Sequence, residues 1–581
     1  MIDKKKYIVA CNGMDVKVVD KDAKYVKLNH DKNDKESIPV KIKLLKFITS
    51  TNKLSDRKRD LLEIAGYVFA ADRKCPRGSS ENVEMHSWSR EIEVNIKVRD
   101  LGFWQDENVK QKLNETLSFM TGDYSWIFKF KLHNGEDEVE LFGDETFVME
   151  SSENTRVVLF SGGLDSLSGV IELLQTTNEQ LCLVSHQSGN PSVALTQNKL
   201  FDEINSLYPN RCLHYKYECG LYGQQRADET QRTRSFVFNA IAYSLATTYG
   251  LNGNMLFENG TTSINLAETE DMKNSRASRT THPKTLGLLT ELFTMICEKD
   301  YNVENGFYDK TKADVVKVLK DYKKLKLLDI AVSCSATRNH RNNAKHCGVC
   351  SQCIDRRFAV YATEVEEWDE NGTYDFDFVK GDLEKDSQKK ALSDYLNQSR
   401  EFKKYTIDKF HDKYLNEIIE MEEFVDGKSE VEKVEKIYNV CLRHGEQVEN
   451  AIGRMSLKYN KAFDKFRPNS FFSLVLGMRS DENTIQPIKL TEEGKEKEEV
   501  PTRKLKELAA IAYKDILDRG IIDIKAEESK IDKKISNFVI PELEKKYKVK
   551  IKEKETLNDY FRQKRIEAKR KRDGSIEILT H

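Results

Sequence analysis

At 581 residues, with 39% hydrophobic and 33% charged side chains, the chain is too long for one compact domain. Roughly 150 residues per domain gives about three or four units. Its 27 Phe and 23 Tyr exclude wholesale disorder, its 9 Pro and 28 Gly exclude collagen-like or Pro-rich architecture, and its 94 basic against 96 acidic residues argue against a whole-chain grip on nucleic acid.

Residues 1–150 alternate short strands with two helical stretches. In the segment from Arg90 to Asp100, Ile92, Val94, Ile96 and Val98 share one face, the period-two pattern of a half-buried strand. Trp126, Phe128 and Phe130 repeat that pattern, and Asn134-Gly135 supplies the positive φ angles of a hairpin turn. These signals predict an α+β domain without a catalytic signature. Residues 151–372 place apolar runs (Arg156 to Phe160, Leu181 to Ser185, Met255 to Phe257) between helical segments, the pattern of an α/β parallel sheet covered by helices. Residues 373–581 form a mostly helical, charged region suited to partner binding. Ile407, Phe410, Tyr414, Ile418 and Met421 build one apolar helix face, and Leu505, Leu508, Ala512 and Ile516 build another, stopped by Gly520. Thr491 to Val500 reads as a solvated linker. The 13 Lys/Arg and 8 Asp/Glu of residues 541–581 read as a solvated helical face, with a nucleic-acid patch as the alternative.

No apolar run approaches the roughly 18 residues that span a bilayer, and the opening MIDKKKYIVACNGM lacks a signal-peptide core. Eleven cysteines without an export signal do not suggest a disulfide framework. The expectation is a soluble cytoplasmic protein that does not engage membranes.

The strongest local signal is VVLFSGGLDSLSGV, residues 157–170, where an apolar strand runs into Ser161-Gly162-Gly163-Leu164-Asp165-Ser166 and then a helix. Paired glycines let backbone N–H groups approach an anion, and a helix N-terminus favours phosphate oxygens. Ser161 and Ser166 add hydroxyl donors, and Asp165 can orient the loop or hold Mg²⁺. The GxxxxGK[ST] pattern of the Walker loop is absent. The SGGLDS run resembles the signature of the PP-loop ATP pyrophosphatases. The resemblance implies ATP binding by Phe160, Ser161, Gly162, Gly163, Leu164, Asp165 and Ser166, followed by attachment of AMP to a substrate oxygen.

Downstream, Cys334, Cys347, Cys350 and Cys353 offer four thiolates within twenty residues, three of them spaced by two. A closed Cys₄ set suits a structural Zn²⁺, and a [4Fe–4S] cluster is the competing metal. His340 and His346 stand close enough in sequence to substitute as ligands. Both motifs in this order resemble the 7-cyano-7-deazaguanine synthase (QueC-like) family over about residues 152–365. That resemblance implies a structural zinc on the four cysteines. It also implies activation of 7-carboxy-7-deazaguanine by ATP with Mg²⁺, with Asp165, Ser161 and Arg234 as catalytic residues.

The chain departs from the family's RNxxF stretch at Arg234-Ser235-Phe236-Val237-Phe238, keeping Arg234 and Phe238. It also has Ser185-His186-Gln187 in place of a Tyr-Gly-Gln turn. Glu258-Asn259-Gly260 follows an apolar strand and reads equally as a carboxylate for an amino-pyrimidine edge or as an Asn-Gly turn. Arg279 and His282 are further substrate-binding candidates, and a structural role for a His before Pro is the alternative. The flanking regions resemble extended QueC-like proteins of bacterial antiviral operons of the CBASS or Qat type. This implies a protein amine as acceptor, from a partner encoded in the same operon, giving a deazaguanine conjugate. Nitrile synthesis from ammonia, a tRNA-modifying PP-loop enzyme and a non-catalytic ATP-binding scaffold stand as alternatives.

Overall fold

The computed structural model describes residues 5–16, 20–30, 34, 36–48, 54–78, 89–133, 142–148, 154–187, 191–222, 232–266, 279–334, 345–369, 374–377, 379, 381, 383, 385–459, 470–472 and 475. All of them belong to one unit, Met1–Ser480. The 491–500 linker, the helix ending at Gly520, the basic tail, Asn134-Gly135 and His340 lie outside the described residues.

The first part of the chain runs β1 (Lys5–Cys11), β2 (Lys24–Asn29), β3 (Ile38–Ile48), α1 (Asp56–Lys74), β4 (Arg90–Val98), α2 (Leu101–Trp104), α3 (Glu107–Thr121), β5 (Ser125–Leu132) and β6 (Phe142–Val148). The central part runs β7 (Thr155–Leu159), α4 (Leu164–Thr176), β8 (Gln180–His186), α5 (Pro191–Leu207), β9 (Cys212–Leu221), α6 (Arg234–Thr248), β10 (Gly253–Leu256), α7 (Gly260–Ile264), α8 (Pro283–Cys297) and β11 (Asn302–Asn305). Helices follow: α9 (Lys312–Asp321), α10 (Lys326–Ile330), α11 (Ser351–Ala362), α12 (Asp386–Lys404), α13 (Ile407–Lys413), α14 (Leu415–Glu422) and α15 (Glu430–Tyr459).

The strands join one mixed, mostly parallel sheet in the order β11-β10-β7-β8-β9-β3-β2-β1-β4-β5, with β6 also paired to β3. Each half is parallel within itself and runs third-second-first-fourth-fifth in its own chain order. The halves meet where β3 pairs antiparallel with β9, Val40 opposite Leu221 and Ile42 opposite Cys219. The sheet therefore crosses residue 150 without a break.

Burial follows the alternating patterns. Ile92, Val94 and Ile96 stand in register with Trp126, Phe128 and Phe130, and all six are buried. The hairpin expectation fails in its pairing: β5 joins β4 in parallel, and β6 joins β3 in parallel. Period-two burial reports a half-covered strand without reporting the direction of its neighbour. The expected single helix over Ile407 to Met421 breaks at Tyr414, whose φ of −109° and ψ of 22° separate α13 from α14. Phe410, Tyr414, Ile418 and Met421 still share one buried cluster with Ile437 and Cys441 of α15.

A buried ionic network links the first half-sheet to α6. The Arg90 guanidinium donates to Asp123 Oδ1 at 2.9 Å and to Asp72 Oδ1 at 2.6 Å. Asp72 Oδ2 also accepts from the Thr233 hydroxyl at 3.0 Å, immediately before α6. The two arginines on Asp72, Arg77 and Arg90, outweigh the cost of burying it and hold its carboxyl well below the usual range.

Candidate functional site

In the second half-sheet β7 is flanked by β8 and β10, so the strand order reverses there. Crevices at such switch points, beyond the carboxyl ends of parallel strands, are where open α/β sheets take ligands. The Ser161–Ser166 loop leaves β7 at that point and opens α4, whose first residues are Leu164 and Asp165. Gly162 has φ +79°, a left-handed conformation that favours glycine, and a Cβ there would stand 3.1 Å from Gln197 Cγ. The Gly163 N–H donates to Ser161 Oγ at 3.2 Å, and Ser161 Oγ lies 3.1 Å from Ser166 Oγ. Gln197 braces the loop by donating to Ser161 O at 3.2 Å.

Asp165 is tied down on both carboxylate oxygens. Oδ1 accepts from Asn259 N at 3.2 Å and Asn259 Nδ2 at 3.1 Å, and Oδ2 pairs with Lys312 Nζ. Lys312 is the first residue of α9, which begins with a reciprocal capping box between Thr311 and Asp314. Burial lowers the Lys312 ammonium, but Asp165, Glu258 and Asp355 raise it further, so it stays charged. Glu258 is pushed up to about 8, first by burial and then by the Asp165 carboxylate. The floor of the site thus carries one buried ion pair and one carboxyl that is mostly protonated at neutral pH.

Above this floor lies a cavity of about 620 Å³, whose lining includes Phe160, Ser161, Ser166, Arg234, Phe238, Glu258 and Asp355. The Arg234 guanidinium stands 4.7 Å from the centre of the Phe238 ring, which fixes its approach. Asn259 and Gly260 sit behind the cavity wall. Asn259 Oδ1 caps α7 by accepting from Thr262 N at 3.0 Å, and a Cβ on Gly260 would overlap the Tyr308 carbonyl oxygen. Here the turn and the site are one feature, because the residue that caps the turn also holds Asp165.

Arg279 and His282 are not among the cavity-lining residues. Arg279 lies over the Phe119 ring at 4.6 Å and pairs with Glu420 at 3.8 Å. His282 is buried, caps α8 by accepting from Lys284 N at 3.2 Å, and packs edge-on against Phe119. Burial pulls His282 down to about 3, so it is neutral at physiological pH.

The four cysteines expected to hold a metal come together, their sulfurs all within 4.8 Å of one another. Cys334 and Cys350 stand 4.0 Å apart, Cys347 and Cys353 3.9 Å, and Cys350 and Cys353 3.4 Å. A tetrahedron with zinc–sulfur bonds of about 2.3 Å has edges of about 3.8 Å, so the set fits Zn²⁺. Cys350 N-caps α11 and Cys353 lies in its first turn. Arg356, one turn on and fully buried, donates to Asp369 Oδ1 at 2.8 Å and to Ala331 O at 2.9 Å, bracing the segment before Cys334. His346 is no fifth ligand: its Nε2 accepts from Ser333 N at 3.1 Å and its ring stacks on Tyr374.

No family model and no curated protein matches the chain. Among solved structures it is similar to a ketoreductase domain from the bacillaene assembly line. The identity is 8% over 55% of this chain and 86% of that one, with a TM-score of 0.19. A likeness that faint carries no argument about fold or chemistry. Among the described residues, no helix is long and apolar enough to cross a membrane.

Sequence reasoning missed Lys312, Asp355 and the C-terminal contribution to the cavity. Lys312 had a readable signal, since Thr311-Lys312-Ala313-Asp314 before an apolar run is a capping box. Asp355 follows the cysteine run but carries no signature of its own. Tyr395, Gln398 and Phe402 of α12 and His444 of α15 also line the cavity, and their spacing reads only as a helix face.

Proposed function

We propose that this chain is an ATP-dependent ligase of the QueC-like, PP-loop kind. It would adenylate the carboxylate of a 7-deazaguanine and pass the acyl group to an amine. The observation that carries the reading is the Ser161–Ser166 loop at the switch point, with Asp165 locked to Lys312 beside the cavity. The N-terminus of α4 and the loop N–H groups suit the pyrophosphate of ATP. Arg234 suits the α-phosphate or the substrate carboxylate. The protonated Glu258, Asp355 and Phe238 suit a flat heterocycle.

Chemically, a carboxylate oxygen attacks the α-phosphorus, the bond to the bridging oxygen of the β-phosphate breaks, and pyrophosphate leaves. An amine then attacks the acyl carbon, the acyl–oxygen bond breaks, AMP leaves, and the amine proton passes to solvent or a carboxylate. Mg²⁺, when bound with ATP, would neutralise charge on the pyrophosphate, and Asp165, the carboxylate of the loop, would help to hold it. The Cys₄ set would hold Zn²⁺ as a brace with no open position for substrate.

The acceptor is a protein α-amine from an operon partner in the cytoplasm. Its unperturbed pKa of about 8, against about 10.4 for Lys, leaves more of it nucleophilic at neutral pH. The test combines the purified protein, ATP and 7-carboxy-7-deazaguanine with either ammonium or a partner bearing an N-terminal Gly. Intact mass spectrometry should show the partner heavier by one deazaguanine acyl group, with one AMP formed per adduct. Nitrile formation from ammonium with an unmodified partner would return the chain to ordinary 7-cyano-7-deazaguanine synthesis.

A further inference from the structure

The cavity's far wall comes from helices outside the segment that carries the loop and the cysteines. Tyr395, Gln398 and Phe402 recur at helical spacing on α12, and His444 faces them from α15. This wall is keyed to the reacting groups rather than laid loosely over them. Tyr395 donates its hydroxyl to Asp355 Oδ1 at 2.9 Å, on the helix that also carries Cys353. On α15, Arg443 Nε and Gln447 Nε2 each donate to Asp314 at 2.9 Å, in the capping box that sets Lys312.

The chemistry of the wall differs from that of the loop. Cationic side chains stand at the loop end of the site, Arg234 on the cavity and Lys312 beneath it. None of the four wall side chains carries a fixed positive charge. His444 packs edge-on against Tyr395, and burial lowers its basicity so that it is neutral. A phosphate would gain nothing there. Two aromatic rings offer flat surface instead. Gln398, whose Nε2 donates to Leu266 O at 3.0 Å, keeps its amide oxygen as an acceptor, and Asp355 adds a second. A planar, uncharged ring system with N–H groups at its edge matches that set. Direction agrees: a carboxylate attacking the α-phosphorus lies opposite the departing pyrophosphate, so the body of the acid extends away from the loop.

We infer that α12 and α15, through Tyr395, Gln398, Phe402 and His444, form the specificity wall for the acid substrate and take its flat, N–H-bearing nitrogen heterocycle. This rests on the carboxylate-activating reading above. It makes the C-terminal helices part of the small-molecule site, whatever acceptor they also meet.

The test is calorimetric titration of the full chain with 7-carboxy-7-deazaguanine and, separately, with ATP, for wild type, Gln398→Leu and Phe402→Leu. Gln398→Leu should weaken the acid by at least about tenfold and leave ATP within about twofold, the size of one lost hydrogen bond in a desolvated site. Phe402 also packs on Phe410 and Tyr414. If Phe402→Leu melts early, the half-buried Gln398 position decides alone. An unchanged acid affinity in a folded Gln398→Leu protein overturns the wall, as does an equal loss for ATP and acid. Wild-type protein that binds neither ligand contradicts the carboxylate-activating reading itself, and the wall falls with it.

Discussion

Lys312 and Asp165 meet where water scarcely reaches, 1% and 8% exposed, so removing either partner alone leaves a buried charge uncompensated. Lys312→Ala is expected to cost about 3–5 kcal/mol, read from the urea midpoint. Asp165→Asn keeps the shape of the side chain and its acceptor for Asn259, and should cost less than Lys312→Ala. Near-wild-type stability of Lys312→Ala would mean that the pair is solvated. Glu258 gives a pH signature of its own. Burial and the nearby Asp165 carboxylate push its carboxyl up to about 8 in the folded state, above the ordinary 4.5 of a Glu carboxyl, so the folded state holds a proton that the unfolded state releases. Its stabilising contribution is full below about pH 4.5 and is lost as pH rises through about 8. Melting temperatures over that range should fall less in Glu258→Gln than in wild type. Parallel curves would show that Glu258 does not titrate this way.

At the scale of elements, legibility in the sequence followed the strength of a local pattern. β4 and β5 showed their buried faces in alternating apolar residues, and α4 was marked by the glycine loop before it. Strand direction was not legible, because alternation is the same for parallel and antiparallel partners. β9, Cys212–Leu221, was passed over although Tyr215, Tyr217 and Cys219 alternate with the polar Lys216 and Glu218 in the same period-two pattern. Tyr217 and Cys219 face the core, and Glu218 pairs with Lys41 across the β3 junction. His282 was read as a substrate-binding candidate or a structural His before Pro, and in the fold it caps α8, its imidazole accepting a backbone N–H there. The cysteine segment was the most legible, because four thiols at metal spacing have few other uses. Metal analysis should return about one zinc per chain. Cys350→Ser should remove it and lower the melting temperature, because α11 loses its anchored first turn. A stable Cys350→Ser protein without metal would contradict a structural zinc.

Across the whole molecule, the part that carries the two motifs is in contact with both flanking regions. Its edge strand β9 is covered by β3 from the first half-sheet, and the residue before Arg234 hangs on Asp72. On the other side α15 packs along α11 and grips the capping box of α9. A fragment of residues 151–372 would expose the β9 edge and an apolar face on α11, and unpaired edges of this kind aggregate. It should be insoluble when expressed alone, whereas residues 1–480 should be soluble. A monomeric, cooperatively melting 151–372 fragment would show that the flanking regions are accessories.

If the loop after β7 joins a carboxylate to AMP as proposed, isotope exchange between pyrophosphate and ATP reads that step without knowledge of the acceptor. Labelled pyrophosphate should enter ATP only when 7-carboxy-7-deazaguanine is present. That exchange should fall by at least about a hundredfold in Asp165→Asn, in the range lost when one group that stabilises transition-state charge is removed. Exchange that proceeds without the acid, or persists in Asp165→Asn, or ATP turned over to ADP and phosphate, would contradict that proposal.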